Sequence, residues 1–212
     1  MSMSENQFFG FLQVYDWVVL DTNVIDSVTI GRNASLSERF RYRNDLGAAL
    51  LRSKRIVTSP QIMEEMSDAV SNLSDVYNSF FELTPIRVVY PGELGGRYEI
   101  FYEHLKPLAE EVGIVKTFKK FPYADVQLAA VALSLCSPKK KVAFLSTDMA
   151  LNDLVYSVVA GVRNSAFDLP VGLGMFKPYR FSSRAGNTFY TFLPHSISRE
   201  RTHPLLLSQT HL

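Results

Sequence analysis

Four acidic residues stand on or next to the predicted secondary-structure elements. Asp21 directly follows the apolar run Val18–Leu20, which is typical of a buried parallel strand, and Asp148 follows a second such run. Glu65 lies on a predicted helix, and Asp125 opens another. Two carboxylates about 4 Å apart repel by about 4 kcal/mol at an effective dielectric of about 20. Four acids that converge on one crevice would therefore need raised pKa values or a cation.

The kinds of side chain available indicate which cation would be held. Oxygen ligands without His or Cys partners favour Mg²⁺ or Mn²⁺ over zinc. The four histidines do not form a zinc set, because His104 stands alone and the others lie near the end of the chain: His195, His203 and His211. We expect a magnesium or manganese site.

Each acid also has an ordinary structural alternative. Asp21, Asp125 and Asp148 could each cap or stabilise the start of a helix or turn. Of the adjacent pair Glu64 and Glu65, a helical count from the apolar stripe places Glu65 at the border of the stripe and Glu64 in solvent. Glu65 is therefore the better candidate for the site.

The elements that must position these acids alternate along the chain. Strands are predicted at Val14–Leu20, Arg55–Thr58, Ile86–Tyr90 (closed by Pro91–Gly92) and Lys141–Leu145. Helices are predicted over Leu36–Ser53, from Pro60 to about Phe80, and over Arg97–Val112, Ala124–Cys136 and Leu151–Ala160. This alternation predicts an α/β fold: a three-layer α/β/α arrangement with a mainly parallel central sheet.

The pattern breaks after Gly161. Glycine, proline, aromatic and arginine residues alternate there, and Thr188–Leu193 could form one more strand. We therefore divide the chain into a domain at residues 1–160 and an irregular, basic, aromatic-rich C-terminal extension at residues 161–212.

The distribution of charge along the chain indicates what kind of partner the protein could bind. The 212 residues carry a net charge of +1, but residues 1–160 hold 16 Lys/Arg against 19 Asp/Glu (net −3) and residues 161–212 hold 6 against 2 (net +4). An acidic body with a basic tail is compatible with a polyanion lying across a metal site.

Cys136 is the only cysteine, so no intrachain disulfide can form. Without a signal-peptide pattern or an apolar run of about 20 residues, we expect a soluble, cytoplasmic protein with no membrane contact.

Four ordered motifs resemble those of PIN-domain nucleases, a family that includes the VapC-type toxins of toxin–antitoxin pairs. The motifs are VVLDTNV at 18–24, SPQIMEEM at 59–66, YADVQLAAVA at 123–132 and AFLSTD at 143–148. Their acids are separated by 44, 60 and 23 residues, and the resemblance covers roughly residues 14–160.

The resemblance implies a catalytic acidic quartet, which we define as Asp21, Glu65, Asp125 and Asp148. Of these, Asp21, Asp125 and Asp148 would hold Mg²⁺ or Mn²⁺. The short polar side chains beside them would orient carboxylates or a metal-bound water: Thr22, Asn23, Ser146 and Thr147. The implied activity is hydrolysis of phosphodiester bonds in single-stranded or structured RNA, and sometimes DNA, by a metal-activated water.

An RNA substrate requires cations and aromatic stacking surfaces. The candidate cations stand beside aromatic residues: Lys116, Lys119, Lys120, Arg180 and Arg184. Their ordinary alternative is a solvated charged face over core aromatics. An antitoxin protein and a second copy of the chain are candidate partners by family resemblance alone.

Two other functions stay open. A phosphoaspartyl phosphatase would use Asp21 as its nucleophile, although that chemistry normally has a second acid where Asn23 stands. A non-catalytic module of the same fold would bind RNA or protein without cutting. A toxin, a maturation enzyme and a component of a mobile element are all compatible with the motifs.

Overall fold

The computed structural model describes residues 13–25, 55–71, 86–117, 119–164, 167, 169, 171–183 and 190–194. Six strands lie in these ranges: β1 (Trp17–Leu20), β2 (Ile56–Thr58), β3 (Arg87–Val88), β4 (Val142–Ser146), β5 (Phe176–Ser183) and β6 (Tyr190–Pro194). Six helices lie between them: α1 (Thr22–Ile25), α2 (Pro60–Ser71), α3 (Pro91–Leu94), α4 (Gly96–Glu111), α5 (Ala124–Leu135) and α6 (Met149–Arg163).

The strands form one sheet in the order β3-β2-β1-β4-β5-β6. The first five are parallel to one another, and β6 runs antiparallel to β5 at the edge. β1 and β4 lie at the centre, with Val18 opposite Ala143 and Leu20 opposite Leu145. The predicted α/β class with a mainly parallel sheet is confirmed.

The central strands are apolar because neither face of the sheet meets water there. Every residue of β4 is buried, and three of the four residues of β1 are buried. Helix α5 is buried along most of its length, as its alanine-rich sequence predicted. Phe101 of α4 packs into the same core as Phe144 of β4 and Phe176 of β5. This rigid centre fixes the ends of β1 and β4 relative to each other.

Several element boundaries differ from the sequence prediction. β1 begins at Trp17 and not at Val14, whose side chain is half exposed. β3 is only two residues long, and Pro91 begins helix α3 where a turn was predicted. Helix α2 begins as predicted, since the Ser59 hydroxyl accepts a hydrogen bond from the Ile62 amide at 3.4 Å. The predicted helix at residues 36–53 and the stripe positions beyond Ser71 lie outside the described residues.

The largest difference concerns the C-terminal extension. No strand was predicted between Gly161 and Thr188, yet β5 lies there and pairs with β4 along five residues. Pro178 within β5 argues against a strand in the sequence, since proline cannot donate to a ladder. Part of the region predicted to be irregular therefore belongs to the main sheet. The division into two domains stays a prediction.

Gly174 lies where the chain approaches β5, and it provides a test of this packing. A Cβ there would overlap the carbonyl oxygen of Ser137 and lie 2.8 Å from that of Lys140. We expect Gly174→Ala to lower the free energy of unfolding by about 1–3 kcal/mol. The control is Gly92→Ala, because a Cβ on Gly92 has no heavy atom within 4 Å. Urea unfolding of both variants measures the difference, and equal stabilities would refute the close approach.

Within the described ranges, every helix falls short of the length and apolar character that a bilayer-spanning segment requires.

Candidate active site

The chain leaves the carboxyl ends of the neighbouring strands β1 and β4 toward opposite sides of the sheet. From β1 the chain continues to β2 on one side, whereas from β4 it continues to β5 on the other. The Asp21 amide, one residue past β1, donates to the Leu145 carbonyl of β4 at 3.1 Å. In open parallel sheets such a switch point leaves a crevice where ligands bind. Asp21 and Asp148 both follow the strands that form it.

Asp21 is buried at this edge of the sheet, with 1% of its surface exposed. Its Oδ2 accepts a hydrogen bond from the Ser146 hydroxyl at 2.5 Å and another from the Asn23 side-chain amide at 3.2 Å. The Ser146 hydroxyl oxygen in turn accepts from the Asp148 backbone amide at 3.0 Å. Ser146 therefore links the first and last acids of the acidic quartet through one side chain.

Asp148 has two roles in the structure. Its Oδ1 caps helix α6 by accepting from the Leu151 amide at 3.1 Å, so the predicted capping alternative is confirmed for this residue. Its Oδ2 lies 3.8 Å from the Lys116 ammonium. Asn152, fully buried one turn along α6, donates from Nδ2 to the carbonyls of Ser146 at 3.1 Å and Asp148 at 2.9 Å. The acid is thus held at both its backbone and its side chain.

Asp125 lies in the first turn of α5, where the positive end of the helix dipole favours a carboxylate. Tyr123 occupies the cap position of that helix, so Asp125 is not its cap. The side chain of Asp125 is 14% exposed, and its Oδ2 lies 3.8 Å from the same Lys116 ammonium that contacts Asp148. The Oδ2 atoms of Asp125 and Asp148 are therefore separated by no more than twice 3.8 Å.

Glu65 and Glu64 point in different directions from α2. Glu65 is 21% exposed at its side chain and lies 3.7 Å from the Lys119 ammonium. Glu64 is 53% exposed and pairs with Lys120 at 3.0 Å. The expected orientation is observed, with Glu65 on the side of the other acids. Its role in the site stays a prediction.

The pKa values of three of these acids are shifted by burial and by the charges of their neighbours. Burial raises the pKa of Asp21 to about 7, and the negative charges of Asp125 and Asp148 add to the rise while the Ser146 hydrogen bond opposes it. Burial also raises the pKa of Asp125, with Lys116 lowering it and Asp148 raising it. The pKa of Glu65 is raised by burial, lowered by Lys119 and raised by Asp125. The acidic quartet therefore forms one electrostatic cluster.

The donor chemistry of this cluster fits Mg²⁺ or Mn²⁺, because every side chain offered is a carboxylate, hydroxyl or amide. The Thr22 hydroxyl, next to Asp21, is buried without a hydrogen-bond partner among the described residues. In the described part of the chain, no three His, Cys, Asp or Glu side chains are grouped closely enough to hold one ion. Lys116 lies between two of the acids instead.

The structure places four of the five candidate RNA-binding cations, and their role in binding RNA stays a prediction. All three lysines lie in the connector between α4 and α5, and each contacts an acid: Lys116, Lys119 and Lys120. Arg180 lies in β5 at the position paired with Ser146, and Arg184 lies outside the described residues. Thr147 lies in the turn between Ser146 and Asp148 and is half-buried.

Two supporting residues were missed by sequence reasoning. Asn152 could have been noticed, since it is a polar residue on the apolar stripe of α6. Thr58 is fully buried at the end of β2 and donates to the Leu20 carbonyl at 3.0 Å, which ties β2 to the residue before Asp21. Nothing in the local sequence distinguishes Thr58 from an ordinary strand residue.

Ser146 offers a direct test of how Asp21 is positioned. We expect Ser146→Ala to lower kcat/KM for nucleic-acid cleavage by about 10- to 100-fold, because Asp21 loses a donor and the Asp148 amide loses an acceptor. Ser134→Ala is the matched control, since Ser134 is a buried serine whose hydroxyl donates to the Ala130 carbonyl of its own helix. Equal rates for the two variants would show that Ser146 has no positioning role.

The chain was compared with protein-family models, with curated proteins and with solved structures, and none of them matches it.

Proposed function

We propose that the protein is a metal-dependent endoribonuclease of the PIN type. The observation that supports the proposal most strongly is the convergence of Asp21, Asp125 and Asp148 at the switch point of the sheet. Three different elements deliver these carboxylates, and Ser146 and Lys116 connect them. Buried like charges that interact in this way are typical of functional sites. The finer fold assignment, helices on both faces of the sheet as in PIN domains, is part of the same proposal.

In this proposal Asp21, Asp125 and Asp148 would hold Mg²⁺ or Mn²⁺, and the ion would supply an activated water and positive charge beside the phosphate. Ser146 and Asn23 keep Asp21 Oδ2 directed at the site, while Asn152 fixes the backbone that carries Asp148. Glu65 completes the site as an outer acid, and Thr22 is available to a water there. No nucleophile from the protein is required.

RNA is the proposed substrate because two exposed lysines and an aromatic ring lie beside the candidate site. Lys119 and Lys120 are 40% and 59% exposed at their side chains, and Lys120 also lies over the Phe121 ring at 4.9 Å. Ammonium groups beside an aromatic ring are suited to a single strand, whose phosphates and bases they contact together. DNA is a second substrate to be assayed. Association with an antitoxin protein, formation of a homodimer and location in the cytoplasm are parts of the proposal that rest on the family resemblance and composition.

One observation favours a non-catalytic module as the second candidate. Lys116 already offsets the charge of two acids, so the cluster could be stable without any metal ion. Such a module would bind RNA or protein through the same surface and leave it intact.

The decisive experiment incubates end-labelled single-stranded RNA with the protein in Mn²⁺ or Mg²⁺, and in parallel with excess chelator. We expect cleavage with either ion and none with the chelator. Cleavage that survives the chelator would overturn the metal mechanism. RNA that is bound but not cut would favour the non-catalytic module. Release of phosphate from a small phosphomonoester without RNA cleavage would instead indicate a phosphatase.

A further inference from the structure

Lys116 occupies the position that a cation shared by two of the acids would take. Its ammonium lies 3.8 Å from Asp125 Oδ2 and 3.8 Å from Asp148 Oδ2, and its side chain is 35% exposed. Asp125 is on α5 and Asp148 precedes α6, so this one side chain connects two separate elements. Both contacts are longer than a direct hydrogen bond, so the ammonium is an electrostatic neighbour of the two acids.

The backbone that carries Lys116 is anchored on both sides. Ile114 is buried, and its amide donates to the Ala109 carbonyl of α4 at 2.9 Å. The Lys119 amide donates to the Lys116 carbonyl at 2.9 Å, which closes a turn. The ammonium can therefore leave the acids through rotation of its side chain, without movement of the connector.

The charges around the ammonium explain why it is held there. In the metal-free protein Asp125 and Asp148 repel each other, and a positive charge between them offsets that repulsion. A divalent ion that binds the same two oxygens would meet the ammonium at close range. The two cations cannot occupy that place together, because their repulsion would add to the steric conflict.

We propose that Lys116 is a tethered cation that stabilises the metal-free site and that a divalent ion must displace before the site is loaded. The inference rests on the proposed function, since it assigns a role in metal loading to a residue beside the same carboxylates. Lys116 sets the metal affinity of the site through competition. Once displaced, its ammonium lies beside the acids, where it can form an ion pair with a substrate phosphate.

The test measures Mn²⁺ binding by the full chain without nucleic acid, by calorimetry and by the loss of the free-ion signal in electron paramagnetic resonance. Two variants remove the charge, Lys116→Met and Lys116→Gln, and Lys116→Arg retains it. We expect the neutral variants to bind Mn²⁺ about tenfold tighter than the wild type or more, and the arginine variant to bind like the wild type. In chelator, we expect both neutral variants to melt at a lower temperature and to gain more from added Mn²⁺.

Lys140→Met is the matched control. Lys140 is also a partly exposed lysine that pairs with a carboxylate, Asp16 at 3.7 Å, but it lies at the opposite end of β1. Its loss should leave Mn²⁺ affinity unchanged. Equal or weaker Mn²⁺ binding by both neutral Lys116 variants would overturn the inference and leave the nuclease proposal standing. Tighter Mn²⁺ binding by the neutral variants, together with a wild type that does not cut RNA, would support the inference and refute the nuclease. Absence of Mn²⁺ binding by every variant would overturn both.

Discussion

Replacing Asp21 with asparagine is expected to lower the rate of RNA cleavage by about a thousandfold or more, the effect of losing several kcal/mol of metal-assisted catalysis. Asp21 is the most deeply buried of the acidic quartet, and Ser146 and Asn23 both direct hydrogen bonds to it. An asparagine side chain has nearly the same shape but no charge for a cation. Single-turnover cleavage of labelled RNA in saturating Mn²⁺ measures the loss.

Asp16→Asn is the control for this substitution. Asp16 precedes β1 as Asp21 follows it, so the two acids lie at opposite ends of one strand. Asp16 pairs with Arg55 at 3.4 Å and accepts a hydrogen bond from the Lys141 amide at 2.8 Å, with no contact to the acidic quartet. We expect this variant to cleave RNA at close to the wild-type rate. Similar activity of Asp21→Asn and the wild type would remove Asp21 from the mechanism.

The contribution of Asp21 to the stability of the metal-free protein is expected to fall as the pH rises from about 4 to about 7. Burial and neighbouring charge raise the pKa of Asp21 to about 7 in the folded chain, whereas the unfolded value is about 4. Between these values the folded state binds more protons than the unfolded state, so each rise in pH favours unfolding. The destabilisation is absent below the unfolded pKa and complete above the folded pKa. Its size is roughly 2–3 kcal/mol between pH 5 and pH 8.

Urea unfolding of the wild type and of Asp21→Asn, in chelator across that pH range, isolates this contribution. His104, whose pKa burial lowers, gives an opposite slope in acid, but it does so in both proteins. We expect Asp21→Asn to be the more stable protein at pH 8 and the difference to shrink toward pH 4. Added Mn²⁺ should stabilise the wild type and not the variant. A constant difference at every pH would contradict the raised pKa of Asp21.

If both results are observed, the acid that the proposed activity requires also lowers the stability of the metal-free protein. A buried carboxylate whose pKa lies near neutrality destabilises the metal-free fold, and a neutral residue in its place would relieve that strain. Substitutions that stabilise a protein while removing its activity are common at functional sites. Asp21 should belong to this class.

Much of the fold could be predicted from periodicity. The apolar runs that become β1 and β4 and the alanine-rich sequence of α5 are local signals, and the structure follows them closely. β5 escaped prediction because its sequence, FKPYRFSS, contains a proline and charged residues, and its pairing with β4 and β6 makes it a strand. Such long-range pairing overrides local propensity.

The proximity of three candidate acids could be expected from the sequence, because Asp21 and Asp148 follow parallel strands and Asp125 lies in the first turn of a helix. The position of Lys116 was not predictable. The sequence placed it in a basic connector and suggested RNA as its partner, whereas the structure folds that connector so that its ammonium faces Asp125 and Asp148. The direction of a connector depends on anchors such as Ile114, which local sequence does not reveal.

A crystal structure of the protein grown with Mn²⁺, with data collected at the manganese absorption edge, would show whether the three acids share one ion. We expect an anomalous peak bound by side-chain oxygens of Asp21, Asp125 and Asp148, with the Lys116 ammonium withdrawn from between the last two. A manganese peak elsewhere in the protein, with Lys116 still between Asp125 and Asp148, would contradict the proposed metal site.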